Sequence, residues 1–420
     1  MRRTIVFMLL VLLGSLAIAC GGGSSGQPTA ATGSGDATGT PGAQQPTQIA
    51  RAEGTPGADR QPTSQPPTGS APPPPDSGSV ASGNFAYGFN AFLRGDADGA
   101  EFNRRTIDMV KGAGFNWVRI QIQWSEVERQ KNQWDPLPID RIVEQVEGTG
   151  VNILATIVKA PDWARDPSGQ RFLRDYNDLA GFTHFLVERY GDKIDAWEIW
   201  NEQNLAAEVG GTVRVEDYAE MLRAAYEGAK QADRSAIIVF GGLTPTGVND
   251  PSVAIDDVQY LEAFYNLDNG RYASYFDVLG IHVNATNHPP DKMVPDNPGE
   301  GQWADHPSFY FRRAEQLREV MAKRGDDRPV WITEFGWTTA NQAPGYEYGN
   351  DVSEQEQADY LVGAFQWAAE HWPWVRGMFV WNLNYSLIVD PSDEKYPWSV
   401  LNADWSPRPA YEALRAMPKS

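Results

Sequence analysis

Short apolar runs and longer amphipathic segments alternate without a break from residue 84 onward. Eight runs have the length and the β-branched or aromatic character of strands: residues 84–90, 115–122, 151–158, 194–201, 236–242, 276–283, 329–334 and 377–383. Segments of helical periodicity lie between them, namely residues 104–112, 175–190, 216–232, 308–323 and 353–371. This alternation predicts an α/β fold whose parallel sheet closes into a (β/α)8 TIM barrel, rather than an open doubly wound sheet. No GxGxxG motif follows a strand, which weakens a nucleotide-binding interpretation.

Side chains alternate within these runs as the strands of a barrel require, with one face apolar and the other polar or small. The apolar faces of the second and sixth runs, which we expect to pack under the helices, carry Val118, Ile120, Ile122, Leu279, Ile281 and Val283. The opposite faces, which we expect to look into the barrel, carry Arg119, Gln121, Gln123, Gly280, His282 and Asn284.

The first twenty residues have the pattern of an export signal. Arg2 and Arg3 precede an apolar run over residues 5–19, which is shorter than the roughly 20 residues needed to cross a bilayer. The small residues before Cys20 resemble the lipobox of bacterial lipoproteins, in which the cysteine is lipidated and becomes the mature N-terminus. Ala17 stands where that motif usually has leucine. A plain signal peptide or a short membrane anchor is the alternative.

Residues 21–83 are almost entirely Gly, Ser, Thr, Pro, Gln and Ala. Such a composition buries too little apolar surface to offset the entropy of ordering, so it predicts a disordered tether. The predicted organisation is therefore a lipoprotein signal over residues 1–20, a linker over 21–83 and one catalytic domain over 84–420. Lipid on Cys20 would hold that domain at the outer face of the bacterial cytoplasmic membrane or at the cell surface.

Composition narrows the classes of partner. The formal net charge of −20 argues against nucleic acid, because binding to phosphates requires Lys and Arg. With one cysteine and five histidines that show no HExxH or Cys/His cluster, we expect no disulfide, no metal site and no cofactor. We also expect a monomer. Most of the 15 tryptophans should fill the core, while a few could stack on sugar rings.

Two glutamates fall at the ends of predicted strands, where barrel enzymes place their chemistry. Glu202 follows the fourth run, and Glu334 closes the seventh. Glycoside cleavage needs two carboxyl groups, one to protonate the leaving oxygen and one to attack the anomeric carbon or to activate water. A single strand-end glutamate more often caps a helix or pairs with arginine. Two of them, each in aromatic sequence, favour catalysis.

The residues around both glutamates resemble a known group of enzymes. WEIWNEQN (197–204) and WITEFGW (331–337) are similar to clan A glycoside hydrolases, the retaining 4/7 superfamily. GAGFNWVRIQIQW (112–124) and RYGDKIDAWEIWNEQN (189–204) make the chain most similar to families 39 and 5. The resemblance implies a carbohydrate substrate, of β-linked oligo- or polysaccharide type. It also implies retaining hydrolysis, with Glu202 as general acid/base and Glu334 as nucleophile.

The resemblance carries roles to four further positions. Asn201 would hydrogen-bond the 2-hydroxyl of the sugar, and Arg119 would orient the nucleophile. His282 would line the same subsite, and Trp381 would stack beneath the sugar ring. For Arg119 the alternative is a buried salt bridge with Glu198, which is compatible with orienting the nucleophile. For His282 and Trp381 the alternative is ordinary core packing.

The chain departs from the family pattern at two positions. Gln203 replaces the usual proline after Asn-Glu, which lies outside the chemistry. Asn284 replaces the tyrosine that often follows His282 by two residues and donates to the nucleophile. Either Tyr385 or Tyr275 is the candidate to replace that tyrosine.

The two carboxyls should differ in acidity. An ionised Glu334 nearby is expected to raise the pKa of Glu202, and Arg119 is expected to keep Glu334 ionised.

Two other functions compete with hydrolysis. One is a non-catalytic carbohydrate-binding lipoprotein on a glycosidase-like barrel, which usually lacks one of the carboxylates. The other is a barrel acting on phosphorylated metabolites, for which the chain lacks a Gly-rich phosphate loop after the seventh and eighth runs.

Overall fold

The computed structural model of the protein describes residues 84–419. Eight parallel strands close into a barrel, each pairing with its neighbours in sequence and the last pairing with the first. They are β1 (Ala86–Asn90), β2 (Trp117–Gln123), β3 (Asn152–Val158), β4 (Ala196–Ile199), β5 (Ile237–Leu243), β6 (Val278–His282), β7 (Val330–Phe335) and β8 (Val375–Val380). The predicted (β/α)8 TIM barrel is confirmed. The predicted signal peptide, Cys20 and the 21–83 linker lie outside the described residues.

One longer helix follows each strand. These helices are α1 (Ala100–Gly112), α2 (Leu137–Val146), α3 (Tyr176–Tyr190), α4 (Val215–Ala232), α5 (Asp257–Asn266), α6 (Arg313–Lys323), α7 (Glu354–His371) and α8 (Pro409–Ala416). Helix α6 begins later than predicted because Pro307–Phe309 forms a separate 3-10 turn. The short helices α2, α5 and α8 were not among the predicted segments. No helix within residues 84–419 has both the length and the apolar composition needed to cross a bilayer.

The barrel interior is layered. Its floor is an apolar cluster made of Ala86, Trp117, Leu154, Ala196, Val239, Val278, Trp331 and Phe379. The next inward-facing residues along the strands are polar, including Arg119, Thr156 and Glu198, which hydrogen-bond to one another. The outer faces of β2 and β6 pack in the main core under the helices, as the alternation predicts. The polar side chains of the barrel interior therefore lie toward the carboxyl ends of the strands, beyond the apolar floor.

Irregular register shapes the carboxyl ends of the strands. The pairing of β5 with β6 shifts between Phe240 and Leu243, and the pairing of β6 with β7 shifts just before His282. After the second shift, His282 lies directly beside Glu334 on the neighbouring strand. Bulges of this kind re-aim side chains next to active sites.

Candidate active site

Glu202 reaches the barrel mouth through an unusual turn after β4. Trp200 has φ 70° and Glu202 has φ 49°, both in the left-handed region that non-glycine residues rarely adopt. The amide of Glu202 donates to the carbonyl of Gly242 at 2.9 Å, which fixes the turn against β5. A strained conformation held by the surrounding structure is common where a side chain must be aimed for function.

Glu334 lies within β7 and is held by a cation. Arg119 Nη1 donates to Glu334 Oε1 at 2.5 Å, and both side chains are buried. One guanidinium therefore fixes the position of this carboxylate from inside the barrel.

Arg119 links four groups at once. Its Nε donates to Glu198 at 2.6 Å, its Nη1 also donates to Asn90 at 2.8 Å, and its Nη2 donates to Asn201 at 2.8 Å. The salt bridge with Glu198 and the contact with Glu334 thus occur together. Burial acts to raise the pKa of Glu198, but the charge of Arg119 and the hydrogen bonds from Thr156 and Arg119 outweigh it and lower that pKa. An ionised Glu198 balances the buried arginine.

His282 lies between the two glutamates. Its Nδ1 is 3.2 Å from Glu202 Oε1, and its Nε2 is 3.7 Å from Glu334 Oε1. Nε2 has no hydrogen-bond partner among the described residues. Gly242 is required here because a Cβ at that position would overlap the imidazole. Burial lowers the pKa of His282, so the ring is neutral near pH 7, and its Nδ1 lies within hydrogen-bonding distance of Glu202.

The pKa of Glu202 is raised in the structure, as the sequence predicts, whereas the pKa of Glu334 differs from the expectation. Burial raises the pKa of Glu202 to about 7, and the charge added to that effect comes from Glu394, not from Glu334 as expected. Burial and the negative charge of Glu202 raise the pKa of Glu334 above its ordinary value, although Arg119 acts against them. Burial is thus the largest cause of the raised pKa of each glutamate, and repulsion between the two carboxylates adds to it at Glu334.

Trp381 and Tyr385 lie just after β8, on the same side of the mouth. Their rings are 5.1 Å apart, and Trp381 is only partly buried. Trp381 packs against an aromatic cluster formed by Trp303, Tyr348 and Trp398, which come from three different loops. Burial and then the negative charge of Glu334 raise the pKa of Tyr385.

Tyr275 was the wrong alternative for a partner of Glu334. It precedes β6 and so lies at the amino end of the strand, whereas Glu334 lies at the carboxyl end of β7. Its ring contacts Tyr226 and Tyr272 between outer elements. Asn284, which replaces the usual tyrosine, has a buried Oδ1 with no partner among the described residues.

Two charged pairs near Glu202 were not predicted from the sequence. Lys159 lies 3.6 Å from Glu208, and Lys395 lies 2.9 Å from Glu394. Glu208 belongs to the short helix Ala206–Val209 and Glu394 to a loop, and neither segment is long enough to give a periodic signal. Lys159 directly follows β3, so the rule that barrel chemistry lies at strand ends would have found it.

Donor atoms of Glu202, His282 and Glu334 all lie within 4.8 Å of one another, a spacing that could also hold a metal ion. The Arg119 guanidinium already donates to Glu334 in that space. A divalent cation there would lie beside a fixed positive charge. The arrangement therefore suits a carboxylate pair better than a metal.

No protein-family model matches the chain, and no curated protein matches it by sequence. Solved structures do share its fold. A family 39 glycoside hydrolase from Bacteroides cellulosilyticus WH2 superposes with a TM-score of 0.55 at 18% identity, covering 80% of this chain and 64% of that one. A GH5_18 structure from Streptomyces cattleya, in complex with GlcNAc, gives 0.57 at 16% identity and covers 79% of each chain.

An exo-β-1,4-mannosidase from Opitutaceae bacterium strain TAV5 gives a TM-score of 0.52 at 15% identity, covering 79% of this chain and 59% of that one. The chain thus spans about three fifths of the length of this mannosidase and of the family 39 enzyme. Further structural neighbours include enzymes of families 1 and 10. The structural neighbours are glycoside hydrolases of clan A, and at these identities the likeness establishes a shared fold.

Proposed function

We propose that the protein is a retaining glycoside hydrolase that cleaves a β-linked oligo- or polysaccharide by double displacement. The observation that carries this proposal is the pairing of Glu202 and Glu334, whose nearest carboxyl oxygens lie within 4.8 Å of each other. Retaining glycosidases hold their two carboxyls about 5–5.5 Å apart, and inverting enzymes need about 6.5–9.5 Å to admit a water. The short separation favours retention.

Different environments divide the roles. Glu334 is ion-paired with Arg119, which favours the ionised form needed for attack on the anomeric carbon. Glu202 has no arginine of its own, and its pKa of about 7 keeps much of it protonated near neutrality. Glu202 therefore suits the general acid that protonates the leaving oxygen. In the second step the Glu202 carboxylate accepts a proton from water, and that water releases the sugar from Glu334.

Neighbouring residues suit a sugar in the cleavage subsite. The Oδ1 of Asn201 accepts from Arg119, so its amide Nδ2 is the group left to donate to a sugar 2-hydroxyl. Trp381, partly exposed above the site, offers an indole face for stacking. The buried Gln203 donates to the Gly241 carbonyl, which indicates a structural role.

A non-catalytic carbohydrate-binding protein is the competing function. The chain keeps both carboxylates and the buried Arg119 network that holds one of them, and simple sugar binding does not require an ion pair of this kind. We also propose that the enzyme is tethered outside the cytoplasmic membrane through lipid on Cys20. That proposal rests on the pattern of residues 1–20 and on the composition of residues 21–83.

A substrate panel tests the function. The protein would be incubated with aryl β-glycosides, β-glucans, xylans and mannans, with Glu334→Gln as the matched inactive control. Turnover by the wild type alone supports hydrolysis, and binding of a glycan without turnover supports the competing function. Proton NMR of the first anomer released separates the mechanisms, since retention requires that anomer to keep the configuration of the substrate.

A further inference from the structure

Lys159 and Glu208 form a charged pair on one side of Glu202. Lys159 follows β3, and Glu208 lies in the short helix Ala206–Val209 after β4, so both lie across the barrel from β7 and its Glu334. The charge of Lys159 opposes the effect of burial, which raises the pKa of Glu202. The charge of Glu202, together with burial, raises the pKa of Glu208. The pair therefore neighbours the acid rather than the nucleophile.

The backbone around Lys159 is built to hold this position. Lys159 has φ 60°, a left-handed conformation that is costly for a residue with a long side chain. Its carbonyl accepts from the amide of Ser125 at 2.9 Å, which anchors the turn to the end of β2. Lys159 is thus the third residue near Glu202 with this conformation, after Trp200 and Glu202 itself.

The helix that carries Glu208 is equally fixed. Trp200 Nε1 donates to the Glu208 carbonyl at 3.2 Å. The helix ends at Gly210, which has φ 67°, and the guanidinium of Arg165 fills the space that a side chain at 210 would need. The backbone that carries Glu208 is therefore held from several sides.

The chemistry of the pair suits a hydroxylated, uncharged ligand. Lys159 keeps 33% of its side chain exposed, while Glu208 keeps 10%. An ammonium donates hydrogen bonds and a carboxyl oxygen accepts them, so together they can bind adjacent hydroxyls. Because the two groups are paired at 3.6 Å, they offer little net charge to an anion.

We propose that Lys159 and Glu208 form the binding site for the leaving group, and that they select substrates whose leaving group is a neutral sugar. This inference rests on the proposed function, since Glu202 identifies the leaving-group side only if it is the acid. A group that lies beside the acid, and across the barrel from the nucleophile, contacts the part of the substrate that departs. Both residues are thus specificity-determining rather than catalytic.

The test compares Lys159→Met and Glu208→Gln with the wild type on two substrates of the same sugar and linkage. One is the disaccharide, and the other is the methyl glycoside. Both have poor leaving groups that need the acid, but only the disaccharide has hydroxyls to contact the pair. Loss of a hydrogen bond to a charged group lowers kcat/KM about tenfold or more. We therefore expect kcat/KM for the disaccharide to fall about tenfold or more, and kcat/KM for the methyl glycoside to change less than about twofold.

Lys193→Met is the matched control. Lys193 also pairs with a glutamate, Glu147, at 3.3 Å, and 31% of its side chain is exposed, but it lies before β4 at the amino end of the barrel. Lys193→Met should leave kcat/KM unchanged for both substrates. An equal loss on both substrates in Lys159→Met would mean that the lysine acts through the acidity of Glu202, and no loss on either would remove it from the site. Both outcomes overturn the inference.

A binding measurement keeps this result separate from the proposed function. Titration calorimetry of the disaccharide into Glu334→Gln, alone and combined with Lys159→Met, should show about tenfold weaker binding in the double variant. If the wild type hydrolyses no glycoside but this difference is found, the proposed function fails and the binding site stands. Equal affinity in both variants would overturn the binding site even in an active enzyme.

Discussion

Arg119 Nη1 and Glu334 Oε1 lie 2.5 Å apart, and the two side chains expose only 1% and 6% of their surfaces. The same guanidinium donates to Glu198 and to Asn201, so the positions of the Glu334 carboxylate, a buried counter-charge and the Asn201 side chain depend on one residue. Arginine suits this position because its planar guanidinium carries five donors in fixed directions. A change at Arg119 should therefore affect geometry and stability together.

Arg119→Lys should lower kcat/KM strongly. Lysine keeps the charge but cannot donate in four fixed directions, so the contact with Glu334 should be weakened or lost. Loss of one hydrogen bond between charged groups corresponds to about 1.5–3 kcal/mol, or roughly a ten- to hundredfold loss of activity. Steady-state kinetics with an aryl glycoside measures it, with circular dichroism as the check on folding. Activity within threefold of the wild type would contradict the positioning role.

The barrel could be predicted because its signal is local and repeated. Each strand is a short β-branched or aromatic run with alternating faces. Runs of this kind recur eight times between helical segments, in the order that a closed parallel sheet needs. The ends of elements were less predictable. Strand β8 is Val375–Val380, whereas the apolar run suggested 377–383. Trp381 and Leu383 are apolar because they pack in the structure above the strand, not because they belong to it.

The candidate site likewise contains some residues that could be predicted from the sequence and others that could not. Arg119 and Glu334 lie within strands, so their side-chain directions follow from strand parity. Glu202 could be predicted from its motif alone, because it lies in the turn after β4. Glu208 lies in the short helix Ala206–Val209 and Glu394 in a loop, and their proximity to Glu202 depends on how these connecting segments pack. The carbonyl of Glu394, for example, is held by Asn341 Nδ2 from the loop after β7. Contacts of this kind join distant segments, and no local pattern records them.

The rate should fall as pH rises through about 7 for substrates with poor leaving groups. Burial raises the pKa of Glu202 to about 7, so Glu202 is protonated and active as an acid below that pH and is ionised above it. The negative charge of Glu394 adds to this shift. Glu394→Gln should therefore move the alkaline limb of the kcat/KM profile to lower pH.

Glu227→Gln is the control for the pH profile. Glu227 lies on the outer helix α4, where it pairs with Arg223 and is half exposed. Its loss should leave the alkaline limb in place. An unchanged limb in Glu394→Gln, or an equal shift in both variants, would show that Glu394 does not act on Glu202.

Glu202→Gln should stabilise the folded protein at pH 8 but not at pH 4.5. The pKa of Glu202 is higher in the folded state than in the unfolded chain, so the folded state holds the proton more tightly. Stability is therefore lost as pH rises from about 4.5 through about 7. A glutamine cannot ionise and avoids this cost, which is about 3 kcal/mol. Denaturant unfolding at both pH values measures it, and an equal effect at each pH would contradict the ionisation argument.

Cys20 should carry lipid at the mature N-terminus. A lone cysteine follows an apolar run with a basic start and precedes a spacer rich in Gly, Ser, Thr and Pro. Mass spectrometry of the protein isolated from membranes should find residues 1–19 removed and an acylated Cys20. Cys20→Ala should release the protein from the membrane fraction. Cleavage at another position, or an unmodified thiol, would contradict this prediction.

Chemical rescue should distinguish the two glutamates. Glu334→Gln should lose activity by several orders of magnitude, because a neutral amide cannot form the covalent glycosyl ester. In Glu202→Ala, a substrate with a good leaving group should still glycosylate Glu334, but the second step should stall without a base. Azide fits the space left by the carboxylate, so it should restore turnover and give the β-glycosyl azide.

The opposite stereochemistry is expected when the nucleophile is removed. In Glu334→Gly, azide should displace the leaving group directly from the face that Glu334 occupied, and the product should be the α-glycosyl azide. Proton NMR of both azides gives the assignment, because each variant predicts one anomer only. If azide gave the β-product in Glu334→Gly and the α-product in Glu202→Ala, the two roles would be exchanged. Release of the inverted sugar by the wild type would rule out a covalent intermediate on either glutamate.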